Sequence, residues 1–251
     1  MSGADQVQSR PSGMGGVGES PRRRDALGKV TGEASYPADA IPADALHAVV
    51  VFTDQPHARL ISLDTSAAER LPGVVAVVTS VDVPVNEYGL TMFDQPVLIG
   101  VDHTGRSNVR CDIRRWEADH LAVVIADTRA DAEAGAAAVA AGAEWEPLPI
   151  VDNLESARLD RVLVHAETAP SNTYYDMAIR RGDVDAGWAA AEVVIEGSYD
   201  LPHQEHAYLQ VEAGTAWIDD EGRTTVECSG QWTYEDREQI AHALDLPDEQ
   251  V

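Results

Sequence analysis

Three short runs of β-branched and aliphatic residues constrain the fold most tightly. They are Leu46–Thr53 (LHAVVVFT), Val74–Thr79 (VVAVVT) and His120–Ala126 (HLAVVIA). Each has the length and composition of a buried strand, and each falls far short of the ~20 residues needed to cross a bilayer. Ala58–Leu63 (ARLISL) alternates, as a half-buried strand does. Ser66–Arg70 reads as a short helix with Asp64 or Thr65 as N-cap, stopped by Leu71-Pro72-Gly73. The opening is therefore β–β–α–β. Residues 82–110 read as loop, punctuated by Pro84, Gly89, Pro96, Gly100 and Gly105. Thr128–Gly142 is alanine-rich with Asp131 and Glu133 early, where a helix dipole favours acidic groups. Pro147 and Pro149 then bar a helix or a central strand. The expected class is α+β, with a mixed α/β domain over residues 25–150.

Outside that domain the pattern thins. Residues 1–24 carry no apolar periodicity and read as a flexible tail. Arg22, Arg23 and Arg24 are followed by Asp25-Ala26-Leu27-Gly28-Lys29 and not by an apolar stretch, so they read as a solvated basic patch and not a targeting signal. Residues 151–181 read as an irregular linker. A second unit spans 182–251. Asp183 can cap a helix running through Trp188 to Ala191, and Val193–Tyr199 (VVIEGSY) alternates as a strand. Residues 214–219 and 224–228 flank Asp219-Asp220-Glu221-Gly222 and predict a hairpin. Glu235–Leu244 predicts an amphipathic helix with Ile240, Ala241 and Leu244 on one side. Asp248–Val251 reads as the approach to a further strand, which makes the second unit an incomplete one.

Charge narrows the partners. Eighteen Lys and Arg face 43 Asp and Glu, a net charge of −25. Nucleic-acid binding needs a basic face, and anionic membrane surfaces repel such a chain, so neither is expected as a partner. Cys111 and Cys228 match no zinc or iron–sulfur spacing and read as two buried, reduced thiols of a cytoplasmic protein.

Other candidate motifs are weak. His203 and His206 would share a helix face and offer two metal ligands, but Pro202 precedes them and no third ligand is spaced for them, so loop or core histidines are the plainer reading. Glu205, Glu212 and Glu227 could pair for acid–base work, yet coincidences are expected among so many acids. Gly13–Gly18 (GMGGVG) follows no strand and opens no helix, so it fails as a phosphate-binding loop. No nucleophile elbow is present.

Several ordered stretches resemble the large, molybdenum-binding subunit of the xanthine dehydrogenase/aldehyde oxidase (molybdenum hydroxylase) family. They are Asp25–Tyr36 (DALGKVTGEASY) with Asp39, His57–Leu60, Asp64–Ala68, Leu71–Val77 (LPGVVAV), Trp116–Val124 and Trp145–Pro149 (WEPLP). The resemblance implies that residues 25–150 form that family's a/b hammerhead domain. In the second unit Gly182–Ala186 (GDVDA), His206–Glu212 (HAYLQVE), Ser229–Trp232 (SGQW) and Leu244–Pro247 (LDLP) resemble the start of its molybdopterin-binding domain. By resemblance Gln231 is the cofactor-binding residue, lying beside the apical oxygen of the molybdenum centre. An amide N–H is a neutral donor that can hold an oxygen ligand without competing for the metal. Read without the family, Gln231 caps a helix or strand end. The family's later glycine-rich loop and catalytic glutamate are absent, so the resemblance implies no catalytic residue and no direct metal ligand in this chain. It implies hydroxylation of an aldehyde or N-heterocycle with water as oxygen source. It also implies a molybdenum-molybdopterin cofactor shared with a completing chain, [2Fe–2S] and FAD on partner subunits, and inactivity alone. The alternative expectation is a non-catalytic docking or assembly module, or a truncated gene product.

Overall fold

The computed structural model describes residues 22–36, 39, 41–52, 54–101, 109–202, 204–208 and 212–251. The sequence readings for residues 1–21, Gly105, His203 and 209–211 lie outside these. Helix α1 (Ala26–Thr31) opens the chain and ends at Gly32, whose φ of 78° needs a residue without Cβ. Strands β1 (His47–Val51) and β2 (Ala58–Leu63), helix α2 (Ser66–Glu69) and strand β3 (Val74–Val78) follow, in the expected β–β–α–β order. Next come β4 (Ile113–Arg114), β5 (Ala122–Ala126), α3 (Arg129–Ala141) and β6 (Ala143–Pro147). Thr128 caps α3 by accepting the Asp131 N–H, and Gly142 ends it.

The strands form two antiparallel three-stranded sheets. One has the order β1-β5-β3, pairing His47 with Ala126 and Val51 with Ala122. The other has the order β4-β2-β6. Because β6 is an edge strand, its terminal Pro147 is tolerated there. Helix α3 packs on the first sheet. Their shared core contains Val51, Leu60, Ala68, Ile99, Leu121, Ala122, Val124 and Val139. Two glycines set these distances. A Cβ at Gly135 would stand 2.7 Å from Val124 Cγ1, and one at Gly142 would stand 2.1 Å from the Asp64 carbonyl oxygen.

Residues 82–110, expected as loop, contain a well-held arm between positions 85 and 99. The fully buried Asn86 donates Nδ2–H to the Leu98 carbonyl (2.8 Å) and accepts the Leu98 N–H (2.9 Å), mimicking a strand pair. Tyr88 and Gln95 bridge backbone to backbone further out. Ile99 N–H reaches the His120 carbonyl and Gly100 N–H reaches that of Cys111, rooting the arm in the hammerhead-like core.

The second unit begins after a segment that holds helix α4 (Leu154–Arg158), which the sequence reading took as irregular. Helix α5 (Val184–Ala190) is capped by Asp183, which accepts the Ala186 N–H (2.9 Å), as expected. Strands β7 (Gly214–Ile218) and β8 (Thr224–Cys228) form the expected hairpin, with Gly222 at φ 81°. Helix α6 (Thr233–Leu244) follows. Three expectations are corrected. Val193–Tyr199 is not a strand, because no neighbour among the described residues takes up its backbone hydrogen bonds. Residues Asp248–Gln250 form a 3-10 turn instead of approaching a strand. Cys111 is buried as expected, but Cys228 is exposed; both are free thiols.

Candidate functional site

The loop from β8 into α6 carries Gln231, and its shape follows from the elements on either side. On the far side of the hairpin, Asp219 closes the turn. Its Oδ1 accepts the Glu221 and Arg223 N–H groups (both 2.9 Å), and its Oδ2 accepts Arg223 Nε (2.8 Å). The Arg223 N–H above all, then the Arg223 guanidinium and the Glu221 N–H, hold this carboxyl below the usual carboxylate range against the opposing pull of desolvation. The register then runs from Ile218–Thr224 to Gly214–Cys228. Gly214 is needed at the end, since its Cβ would lie 3.1 Å from both Cys228 Cβ and the Glu227 carbonyl.

Ser229, Gly230 and Gln231 turn the chain from the hairpin to the helix. Gly230 is pressed against the first turn of α6: a Cβ there would stand 2.5 Å from Asp236 Oδ2. Trp232 is the N-cap, with no side-chain cap bond, and its carbonyl accepts the Asp236 N–H (2.9 Å). Gln231 is exposed on this turn. It does not cap α6, so the plain capping reading of that residue does not describe it. Beside it, burial, then Asp236 and Glu212, push the Cys228 thiol above its ordinary range.

The other end of α6 rests on the arm. His242 Nε2 lies 3.0 Å from Glu87 Oε1, and its ring stacks on Phe93 with centroids 3.8 Å apart at 5°. The Ala243 carbonyl accepts the Val85 N–H (3.0 Å). Ala241 is buried, Ile240 is half-buried and Leu244 is 38% exposed, so the expected apolar side of this helix is covered most fully at Ala241. Asp245, at φ 57°, ends the helix, and Leu246 N–H returns to the Ala241 carbonyl.

The remaining sequence candidates do not converge on this loop. His206 is exposed and stacks on Tyr208. Glu205 accepts the His206 N–H (2.9 Å) in its own turn. Glu227 points out from β8 and Glu212 precedes β7. Among the described residues no three His, Cys, Asp or Glu side chains are grouped to hold a metal ion. A cavity of about 210 Å³ lies instead between the first domain and the segment that follows it, lined by residues such as His57, Arg115, Trp116 and Val164. Its Arg115 is already spent on the Val164 and Ile113 carbonyls and on Glu167. Sequence reasoning missed Asp236, Glu87, Phe93 and His242, and held Gly230 only as part of the SGQW stretch. No local signal marked the other four.

Residues 31–149 match the aldehyde oxidase and xanthine dehydrogenase a/b hammerhead domain, and residues 164–251 match the molybdopterin cofactor-binding domain. The chain belongs to the aldehyde oxidase and xanthine dehydrogenase family. It is 35% identical over 232 residues to a probable xanthine dehydrogenase subunit of Bacillus subtilis, covering 91% of this chain and 29% of that protein. It is 32% identical to the nicotinate dehydrogenase large molybdopterin subunit of Eubacterium barkeri, over 94% of this chain and 52% of that one. The aldehyde oxidoreductase structure from Desulfovibrio gigas superposes with a TM-score of 0.75 at 27% identity, over 91% of this chain and 25% of its own. The α+β architecture is thus that of the family's hammerhead domain followed by part of its cofactor-binding domain. The chain spans between about a quarter and about half of these relatives.

Within the family's cofactor-binding segment, every residue from Thr173 to Pro202 is exposed. Tyr174, Tyr175, Ile179, Val193, Ile195, Tyr199 and Leu201 are each at least 75% exposed. No described helix is long and apolar enough to cross a membrane.

Proposed function

We propose that the chain contributes one wall of a molybdenum hydroxylase site whose remainder comes from polypeptide outside these 251 residues. The observation that carries this reading is the run of thirty exposed residues, rich in large apolar side chains, inside the segment matched to the cofactor-binding domain. Such a surface is stable in water only at a cost of about 25 cal/mol per Å² of apolar area left uncovered. It suits a domain completed by further chain.

The residues fit contact with the cofactor's ligands and not with its metal. Gly230 lies beside the Asp236 carboxylate, Gln231 offers a neutral amide at an exposed turn, and no metal-ligand cluster is grouped nearby among the described residues. Gln231 would donate its amide N–H to an oxygen of a molybdenum-molybdopterin cofactor. When bound, that cofactor supplies the redox chemistry that hydroxylates an aldehyde or N-heterocycle with water as oxygen source. The rigid turn between β8 and α6 fixes where the amide points. [2Fe–2S] clusters and FAD belong to partner subunits, the assembly works in the cytoplasm, and the chain is inactive alone.

The test is reconstitution. The chain is combined with the polypeptide carrying the rest of the domain, and cofactor content and aldehyde turnover are measured for wild type and Gln231→Ala. Turnover is expected to fall by about tenfold or more with cofactor content held, as for loss of one oriented hydrogen-bond donor. Stoichiometric cofactor and turnover in the 251-residue chain alone would overturn the shared-site reading. Wild-type turnover in Gln231→Ala would remove that residue from the site.

A further inference from the structure

We propose that Glu87 and Phe93 of the hammerhead domain are positioning residues for the Gln231 loop, acting through His242 and helix α6. The inference rests on the reading that Gln231 faces the cofactor, but the geometry behind it is independent of that reading. The arm is rooted in the core by Ile99 and braced by the doubly hydrogen-bonded, buried Asn86. Val85, Asn86 and Glu87 are all at most 5% exposed, so the arm's inner half cannot shift without disturbing packed atoms. Glu87 Oε1 and the Phe93 ring hold the His242 ring from two directions, by a 3.0 Å contact and a parallel stack at 3.8 Å. Val85 N–H adds a backbone bond to the Ala243 carbonyl.

From His242 the helix runs ten residues back to its N-cap, Trp232, a span of about 15 Å at ~1.5 Å per residue. A helix of that length moves as a rod. At its near end the Trp232 carbonyl accepts the Asp236 N–H, and Gln231 is the residue directly before that N-cap, so the turn carrying it travels with the helix. The opposite attachment of the loop is weaker: the β7–β8 hairpin is a two-stranded sheet on its own, and such ribbons hold position poorly without a partner. The far end of α6 therefore sets the angle at which the loop is presented. The hammerhead domain, which carries none of the candidate cofactor contacts, takes part in the site through this lever.

The experiment is amide hydrogen exchange on the full 251-residue chain, with no cofactor needed. Glu87→Ala and Phe93→Leu are each expected to speed exchange at positions 229–233 by about tenfold, a local opening that leaves β1 and β5 protection unchanged. Glu87→Gln keeps an oxygen acceptor for His242 Nε2–H and is expected to stay within about twofold of wild type. A structural role without positioning would loosen positions 241–245 and leave 229–233 unchanged in both variants, and this would overturn the proposal. If Glu87→Ala also loosens β1 and β5, Phe93→Leu alone decides. Loss of core protection in both would equally overturn the proposal, because the arm would then be part of the fold and not a lever. Failure of this test leaves Gln231's own role standing. Conversely, a Gln231→Ala enzyme with unchanged turnover leaves the lever standing and removes the cofactor reading.

Discussion

Cys228 and Asp219 sit at opposite ends of one hairpin, and their environments push their ionisation in ways that can be measured. The Cys228 thiol is exposed yet raised by partial burial and by Asp236 and Glu212. Since only the thiolate alkylates, it is expected to react with iodoacetamide more slowly than a free thiol at neutral pH, with Asp236→Asn speeding the reaction. Asp219 is held below its ordinary range by the Arg223 N–H first. A depressed carboxyl stabilises the fold above its unfolded value, and the contribution is lost as pH falls through the folded one. Asp219→Asn should therefore lower the urea midpoint at roughly pH 7, and the gap should narrow as pH falls below the ordinary carboxylate value of ~4. At this scale the sequence was partly legible. Asp183 announced its cap because an Asp oxygen reaches the N3 amide by local geometry alone, whereas the Thr128 cap went unread. Gln231 had no such local signature. It was proposed only on the family pattern, and the Glu87–His242 contact joins residues 155 apart in sequence.

Among the elements, β1, β3 and β5 were readable because apolar runs of that length have one economical use, and β2 by its alternation; the two-residue β4 carries no such signal. The arm was not readable either. Its central pair is made by an asparagine side chain standing in for backbone, and its packing partners, His120, Cys111 and His242, are distant in sequence. Val193–Tyr199 shows the converse: a strand pattern without a neighbour stays unpaired. Gly142 gives a test at this level. It ends α3 and accepts the Asp64 N–H, and a methyl group there would collide with the Asp64 carbonyl, a backbone atom that cannot step aside. Gly142→Ala is expected to destabilise the chain by about 1–3 kcal/mol in urea unfolding, the range for an overpacked site. Gly32→Ala, with open space around its Cβ, should cost less and only through its φ of 78°.

For the whole molecule, the two sheets, α3 and the arm between Val85 and Gly100 together hold most of the buried residues described, and the stretch from Thr173 to Pro202 holds none. Proteolysis should follow that division. Brief trypsin treatment is expected to cut first after the exposed Arg180 and Arg181, leaving an N-terminal fragment that keeps the hammerhead core, as read by mass spectrometry. Early cuts at Arg59 or Arg114 would contradict the division, since both lie in the paired sheet β4-β2-β6.

The bare stretch has a consequence for how such a chain survives its own synthesis. Val193-Val194-Ile195, unpaired and turned to water, is the kind of sequence that chaperones hold and proteases degrade when it stays open. The chain's strong negative charge keeps copies apart at low ionic strength, so sticking together becomes a salt-controlled hazard. Left uncovered, the stretch marks the polypeptide for clearance.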